Sequence, residues 1–279
     1  MSLSAASQIR HFCRLRRRRV VLTAYDAPTA ALLERSGVDL ILVGDSLATV
    51  ILGYASTREV SFREMRHHVR AVLRGVRNVG VIADLPHKSI RRGIASAHRD
   101  ALRFVEDGCL GVKIEWLGPE SETLTRRCVR SGAGVIGHVG LTPQSASPKA
   151  GFKVRGLDRD DVGAVLDAAR RLENAGAFAL VFECIPEAVT DIIKKHLSAP
   201  VVGIGAGRHT EAQVLVFQDV VGLTEGFHPR FLKRYAETGA VAEAAVRRFV
   251  REVQSGRFPA KKNTYRIKAS ALRSLREMP

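Results

Sequence analysis

Cysteine is scarce in this chain: its 279 residues hold four, Cys13, Cys109, Cys128 and Cys184, and no two of them form a C-x-x-C pair. That spacing excludes a disulfide framework and a zinc knuckle, and it suits a reducing, cytoplasmic setting. Long apolar runs are missing as well. Gly, Pro or a charge interrupts each one well short of the roughly 18 residues that a membrane span needs, so no membrane partner is expected. Aromatics make up only 6%, and few stand between the basic residues, which removes the stacking platform of a nucleic-acid binder. Acidic residues are outnumbered, 28 against 44 Lys and Arg, for a formal charge of +16. The excess is scattered along helical segments (Arg66, Arg70, Arg74 and Arg77; Arg126, Arg127 and Arg130; Lys194 and Lys195) rather than gathered in one block. Solvated helix faces and the attraction of small anionic substrates account for that distribution, and nucleic acid is not expected as a partner.

Residues 1–19 contain no acidic side chain, a composition shared with organellar transit peptides. The apolar run at Val20 follows Arg16-Arg17-Arg18-Arg19 directly, however, so this stretch reads as a basic lead-in packed against the domain.

What the chain does have is alternation. With 46% hydrophobic residues it can bury a full-sized core. Short β-branched runs predict strands at Val20–Tyr25, Leu40–Gly44, Val79–Asp84, Gly111–Glu115, Val135–Val139, Ala179–Glu183, Val201–Gly205 and Val214–Val220. Between them lie amphipathic stretches such as Ala27–Ser36, Arg92–Asp107, Asp160–Ala175 and Glu187–Leu197. Helices are also expected from Pro229 to Ser255, followed by a polar tail. Repeated βα units without a linker-like shift predict an α/β chain with one catalytic domain, a (β/α)8 TIM barrel over residues 20–258, with a tail over 259–279.

Charged residues fall at particular places on that pattern. Asp45 follows Ile41-Leu42-Val43-Gly44, Asp84 ends Val81-Ile82-Ala83, and Lys113 and Glu115 flank Ile114. His138 closes Ile136-Gly137, and Glu183 ends Leu180-Val181-Phe182. All six stand at the carboxyl ends of consecutive predicted strands, which converge on one mouth in a barrel. Taken singly, Asp45 reads as a helix cap, Asp84 as a turn residue and His138 as a core histidine, and Lys113 and Glu115 pair with each other. Their coincidence is what points to a site. Carboxylates without cysteine make a hard, oxygen-rich site suited to Mg2+. Such an ion stabilises charge on the keto oxygen of a 2-oxo acid when a neighbouring C–H bond breaks. Glu183 is then the general base, Lys113 neutralises the substrate carboxylate or enolate, and His138 meets a product hydroxyl.

The segments Thr23-Ala24-Tyr25-Asp26, Val43-Gly44-Asp45-Ser46-Leu47, Ala83-Asp84-Leu85-Pro86 and Val112-Lys113-Ile114-Glu115 resemble ketopantoate hydroxymethyltransferases. So do the run from Gly137-His138 through Gly140-Leu141-Thr142-Pro143-Gln144, the segment Glu183-Cys184-Ile185-Pro186, and Gly203-Ile204-Gly205-Ala206-Gly207. The resemblance covers about Val20 to Phe258. It implies a decameric cytoplasmic barrel that transfers a one-carbon unit from 5,10-methylenetetrahydrofolate to 3-methyl-2-oxobutanoate, giving 2-dehydropantoate for pantothenate biosynthesis. In that scheme Asp45, Asp84 and Glu115 serve the magnesium ion, and Asp45, Ser46, Asp84 and Lys113 form the oxo-acid subsite. Glu183, with Lys113 and His138 beside it, carries the proton chemistry.

Some positions depart from the family pattern. Ala48-Thr49 replace Gly-Met, His87 replaces an aromatic, Glu211-Ala212 replace Asp-Gly, and Gln218 replaces a histidine. These are expected to line the mouth and to bear on pocket shape and the folate side. They keep two other readings open: a related enolate-forming barrel acting on a different 2-oxo acid or acceptor, and a catalytically impaired paralogue retained as a binding or structural protein.

Overall fold

Eight parallel strands close into a barrel in the computed structural model, which describes residues 4–144, 153–224 and 229–276. In chain order, α1 (Ala5–Arg14) leads into β1 (Arg19–Thr23), α2 (Ala27–Arg35), β2 (Leu40–Val43), α3 (Leu47–Val50), α4 (Phe62–Gly75), β3 (Gly80–Asp84), α5 (His87–Arg91), α6 (Ile94–Asp107), β4 (Gly111–Glu115) and α7 (Pro119–Arg130). The second half runs β5 (Gly134–Gly140), α8 (Arg159–Asn174), β6 (Ala179–Glu183), α9 (Glu187–Lys194), β7 (Val201–Ile204), β8 (Ala212–Leu215), α10 (Phe217–Val220), α11 (Thr238–Gln254) and α12 (Ala269–Arg276). Each strand pairs with its neighbour in sequence. β8 returns to β1, so that Val21 stands opposite both Leu40 and Val214.

Most of the strands are buried on both faces and correspondingly apolar, whereas β1 and β8 each leave one residue exposed, Val20 and Gln213. Inward, Val21, Leu40, Leu42, Ile82, Ile136, Val181, Val202 and Val214 fill the barrel. Beside Lys113 they leave a gap of only about 10 Å3, the size of one water. Outward, Ile41, Val81, Val112, Ile114 and Val135 pack under Met65, Val69, Phe104, Leu124 and Leu172 of the helices. Local signals set the helix ends. Asp26 accepts from the Thr29 amide, Ser61 and Glu64 form a capping box, and Gly108 ends α6 in the left-handed region.

The lead-in is helical and packs against the barrel. Phe12 is buried edge-on to Phe178, with ring centroids 6.3 Å apart. Arg19 is buried beneath it and donates to the carbonyls of Phe12, Cys13 and Leu15. Its first three residues, and 277–279 of the tail, lie outside the described residues. Within the tail, α12 is exposed.

Two expectations need correction. The eighth strand covers Ala212–Leu215 rather than 214–220, because β1 offers partners only from Arg19 opposite Ala212 to Leu22 opposite Leu215. The apolar run continues instead as α10, anchored by the Phe217 amide donating to Thr23 Oγ1 at 3.1 Å. Likewise, residues from Pro229 do not enter a helix until Thr238. Their backbone is drawn to the end of α10 by the bonds from Tyr235 N to Val220 O and from Thr238 N to Val221 O. Among the described residues, no helix is long and apolar enough to cross a membrane.

Replacing Arg19 by Met would leave three carbonyls without their donor. Arg19→Met is therefore expected to lower unfolding stability by about 3 kcal/mol, measured as the urea midpoint. Chemistry at the opposite end of the barrel should be retained in the folded fraction.

Candidate active site

All six predicted side chains converge at the carboxyl end of the barrel. Cross-strand register explains why: Asp84 pairs with Lys113, Glu115 with His138, and Gly140 with Glu183. Backbone bonds continue past the site residues, from Leu85 N to Lys113 O, Trp116 N to His138 O and Leu141 N to Glu183 O, so these strand ends do not fray. Asp45, Asp84, Lys113, Glu115 and His138 are each no more than 6% exposed, and Glu183 borders the opening.

The Asp45 side chain caps no helix: Oδ2 accepts from Gln144 Nε2 at 2.9 Å. Asp84 is no ordinary turn residue, since Oδ2 accepts the Asp45 amide at 2.9 Å and Oδ1 stands 3.1 Å from Lys113 Nζ. Lys113 is farther from Glu115 Oε1, at 3.9 Å. His138 is wedged between charges, with Nδ1 3.2 Å from Lys113 Nζ and 3.4 Å from Glu115 Oε1, and Nε2 3.1 Å from Glu183 Oε2. Ser46 meets the buried Tyr25 hydroxyl at 2.7 Å. A Cβ at position 44 would come within 2.9 Å of Ser46 Oγ, so glycine there keeps that hydroxyl in place.

Burial dominates the electrostatics. It pushes the Asp45 carboxyl up to about 6, with the Glu115 charge adding to the rise and Lys113 opposing it. Asp84 is also pushed up to about 6 by burial, against the pull of Lys113. Burial disfavours the Lys113 ammonium too, yet Asp84, Glu115 and Asp45 outweigh it and hold its pKa above the ordinary lysine value. For His138, burial and the Lys113 charge oppose protonation, while the carboxylates of Glu115 and Glu183 outweigh both and raise it to about 9. Since Lys113 and a protonated Nδ1 cannot point donors at each other, Nδ1 accepts from Lys113 when neutral and turns its proton to Glu115 when charged.

The donor set can be tested against a divalent cation. Asp45, Asp84, Glu115 and Glu183 are four carboxylates gathered around one ammonium and one imidazole whose proton they favour, an imbalance that a further cation would relieve. Asp84 Oδ1 and Glu115 Oε1 are also buried without an aligned hydrogen bond. Among the described residues, no three His, Cys, Asp or Glu side chains form a ready-made metal cage. Mg2+ keeps several waters and takes only one or two carboxylates, a number that Asp45 and Asp84 can supply from adjacent strand ends. The residues fit the ion.

Sequence reasoning assigned no role to Gln144 or Tyr25. Gln144 is 1% exposed, and its backbone N donates to Glu115 Oε2 at 3.0 Å. A polar residue closing Gly140-Leu141-Thr142-Pro143-Gln144 just beyond a site strand was the available signal. Cys184, directly after Glu183, has φ 51°, a left-handed turn at a non-glycine residue that directs the chain away immediately past the carboxylate.

Of the departures from the family pattern, Ala48 is buried in α3 without positive φ, so its methyl is accommodated. His87 opens α5 just beyond Asp84, and Gln218 is buried in α10 beyond β8. Glu211-Ala212, however, lies at the opposite end of the barrel and not at the mouth. In a parallel sheet the residue before a strand sits at the amino end, and the Glu211 carbonyl accepts there from Arg19 N.

A parallel barrel with buried acid, base and cation at its carboxyl end has the architecture of the α/β-barrel enzymes. The family model for ketopantoate hydroxymethyltransferase matches residues 4–261, and the chain belongs to that family. A 3-methyl-2-oxobutanoate hydroxymethyltransferase of Thermus thermophilus is 46% identical over 251 residues, covering 89% of this chain and 95% of that protein. The protein of the same name from Deinococcus radiodurans is 43% identical, covering 92% and 90%. Phosphoenolpyruvate phosphomutase from Streptomyces platensis subsp. rosaceus shares the fold at 17% identity, with a TM-score of 0.62 over 97% of this chain and 94% of its own.

The raised carboxyls make stability depend on pH. Between the ordinary value of 3.8 and about 6, the fold holds protons that the unfolded chain has already released, so their contribution declines as pH rises through that window. Metal-free Asp45→Asn is therefore expected to gain on the order of 1–3 kcal/mol relative to the parent chain between about pH 4 and pH 7. Urea midpoints measure it, and parallel pH profiles would show that Asp45 does not titrate in this window.

Proposed function

We propose that this chain transfers a one-carbon unit from 5,10-methylenetetrahydrofolate to 3-methyl-2-oxobutanoate, giving 2-dehydropantoate. The observation that carries the reading is the approach of His138 Nε2 to Glu183 Oε2 at 3.1 Å, beside a buried lysine, in a chain of this family. Asp45 and Asp84 would hold Mg2+, with Glu115 beside it or its water. When bound, the ion supplies Lewis-acid stabilisation of negative charge on the keto oxygen.

The rest is done by the protein's own side chains. Ser46 and Lys113 orient the oxo acid, the lysine by opposing its charge. Glu183 removes the proton from the branched carbon next to the ketone, and the C–H electrons pass into the enolate. Lys113 opposes the charge that develops there. The enolate carbon bonds to the folate-borne methylene, both C–N bonds of that carbon break, and one water supplies the hydroxyl; the proton taken by Glu183 and the second proton of that water go to the two tetrahydrofolate nitrogens. His138 keeps Glu183 in place and meets the new hydroxyl. The same reading keeps residues 20–258 as the catalytic unit, in a cytoplasmic protein.

One observation favours a second reading, the same enolate chemistry on another oxo acid or acceptor. The Nδ1 atom of His87 is buried just beyond Asp84 with no hydrogen-bond partner among the described residues. A polar edge there offers a donor or acceptor that an aromatic ring would not.

The homo-oligomer, a decamer by family resemblance, belongs to this reading too. Helix α11 buries none of its residues and exposes Val246, Phe249, Val250 and Val253, while α10, the helix directly after β8, has only four residues. A second copy of the chain is the occupant we assign to that face.

Two outcomes are expected. Glu183→Gln should lower formation of 2-dehydropantoate by about 100- to 10,000-fold, followed by mass spectrometry, while oxo-acid binding persists. Turnover at the parent rate would remove Glu183 from its role. Phe249→Glu should shift the mass in sedimentation velocity to a smaller species, and an unchanged mass would place the interface elsewhere.

A further inference from the structure

Each carboxylate assigned to the metal has one oxygen held by an N–H group of the site itself. Asp84 Oδ2 takes the Asp45 amide at 2.9 Å, Asp45 Oδ2 takes Gln144 Nε2 at 2.9 Å, and Glu115 Oε2 takes the Gln144 amide at 3.0 Å. Two of these three bonds come from one residue. Gln144 stands beyond the end of β5, 99 residues from Asp45 in sequence, and thus joins the exits of β2 and β4. A further bond, from Nε2 to the Leu85 carbonyl at 3.1 Å, adds the exit of β3.

We propose that Gln144 is a positioning residue of this site, holding Asp45 and Glu115 by one oxygen each so that their carboxylates are fixed in orientation before a divalent cation arrives. The inference rests on the reading that Asp45, Asp84 and Glu115 serve Mg2+.

The chemistry of the side chain requires an amide. Both neighbours of Nε2 are acceptors, a carboxylate oxygen and a carbonyl, so the amide has a single allowed orientation; flipping it would set Oε1 against both. With Nε2 so placed, Oε1 is buried without a partner among the described residues. A glutamate here would repel Asp45, and an apolar side chain would leave Asp45 Oδ2 and the Leu85 carbonyl without their donor. Neutral donors also hold buried carboxylates without cancelling their charge. A lysine in the same place would fix them equally well but would compete with the cation.

The test uses the full chain, stripped of metal and titrated with MgCl2 alone by calorimetry. Gln144→Met removes the amide at nearly constant volume. Gln144→Asn keeps an amide too short to span the same groups. Both keep the main-chain N–H that Glu115 uses. Dissociation constants are expected to rise about 10- to 100-fold, as for other residues that orient metal ligands. The Mg2+ concentration for half-maximal activity should rise with them, while kcat at saturating Mg2+ falls far less. Parent affinity in either folded variant would overturn the inference, as would a lowered melting temperature with an unchanged dissociation constant, which marks a packing role. A parent chain that binds no Mg2+ would overturn the metal reading and this inference together; a parent that binds it while the variants match overturns the inference alone.

Discussion

Lys113 sits among more negative charge than it can balance, and the mouth of this barrel is organised around that fact. Its ammonium is 3.1 Å from Asp84, 3.9 Å from Glu115 and 3.2 Å from His138, all of them buried. Charges taken out of water are costly unless they are paired. The surplus of carboxylate is therefore held only because the strands beneath are rigid and because amides hold the oxygens that Lys113 does not reach. What relieves the imbalance, a cation, a proton or a polarised substrate, is what the site is built to accept.

The two ends of the barrel divide the labour. At the amino end, α1 and the carbonyl-bound Arg19 close the interior with groups that satisfy one another. Apolar layers then fill the middle almost completely. At the carboxyl end the layer of inward side chains becomes ionisable, and several buried polar atoms are left without aligned partners. Unsatisfied groups are a burden for stability and a resource for binding, because a ligand that pairs them recovers the cost of their burial. His138 sharpens the contrast: one ring nitrogen faces Lys113 and Glu115, the other faces Glu183, so its proton reports on both halves of the site.

Much of this was legible from residue order. Strands buried on both faces announce themselves as apolar runs, and a charge at the end of such a run is conspicuous, which is why Asp84, Lys113, Glu115, His138 and Glu183 stood out. The eighth strand was misplaced because the apolar run passes from β8 into α10 without a break in composition. Glu211 was assigned to the wrong end because the return from β7 to β8 is made without a helix, so nothing in the pattern marked the change of side. For Gln144 the only signal in the sequence is its place just beyond a site strand, which does not reveal its role. Its partners are distant in sequence, and a neutral amide becomes informative only when its neighbours are known to be carboxylates.

The central claim is that this cluster makes an enolate, and loss of a single proton tests it most directly. Purified protein incubated with 3-methyl-2-oxobutanoate in D2O, with and without Mg2+ and with no folate present, can be followed by proton NMR at the branched carbon. The account predicts metal-dependent exchange of that proton for deuterium by the folded chain. Absence of exchange in folded, magnesium-saturated protein would contradict it.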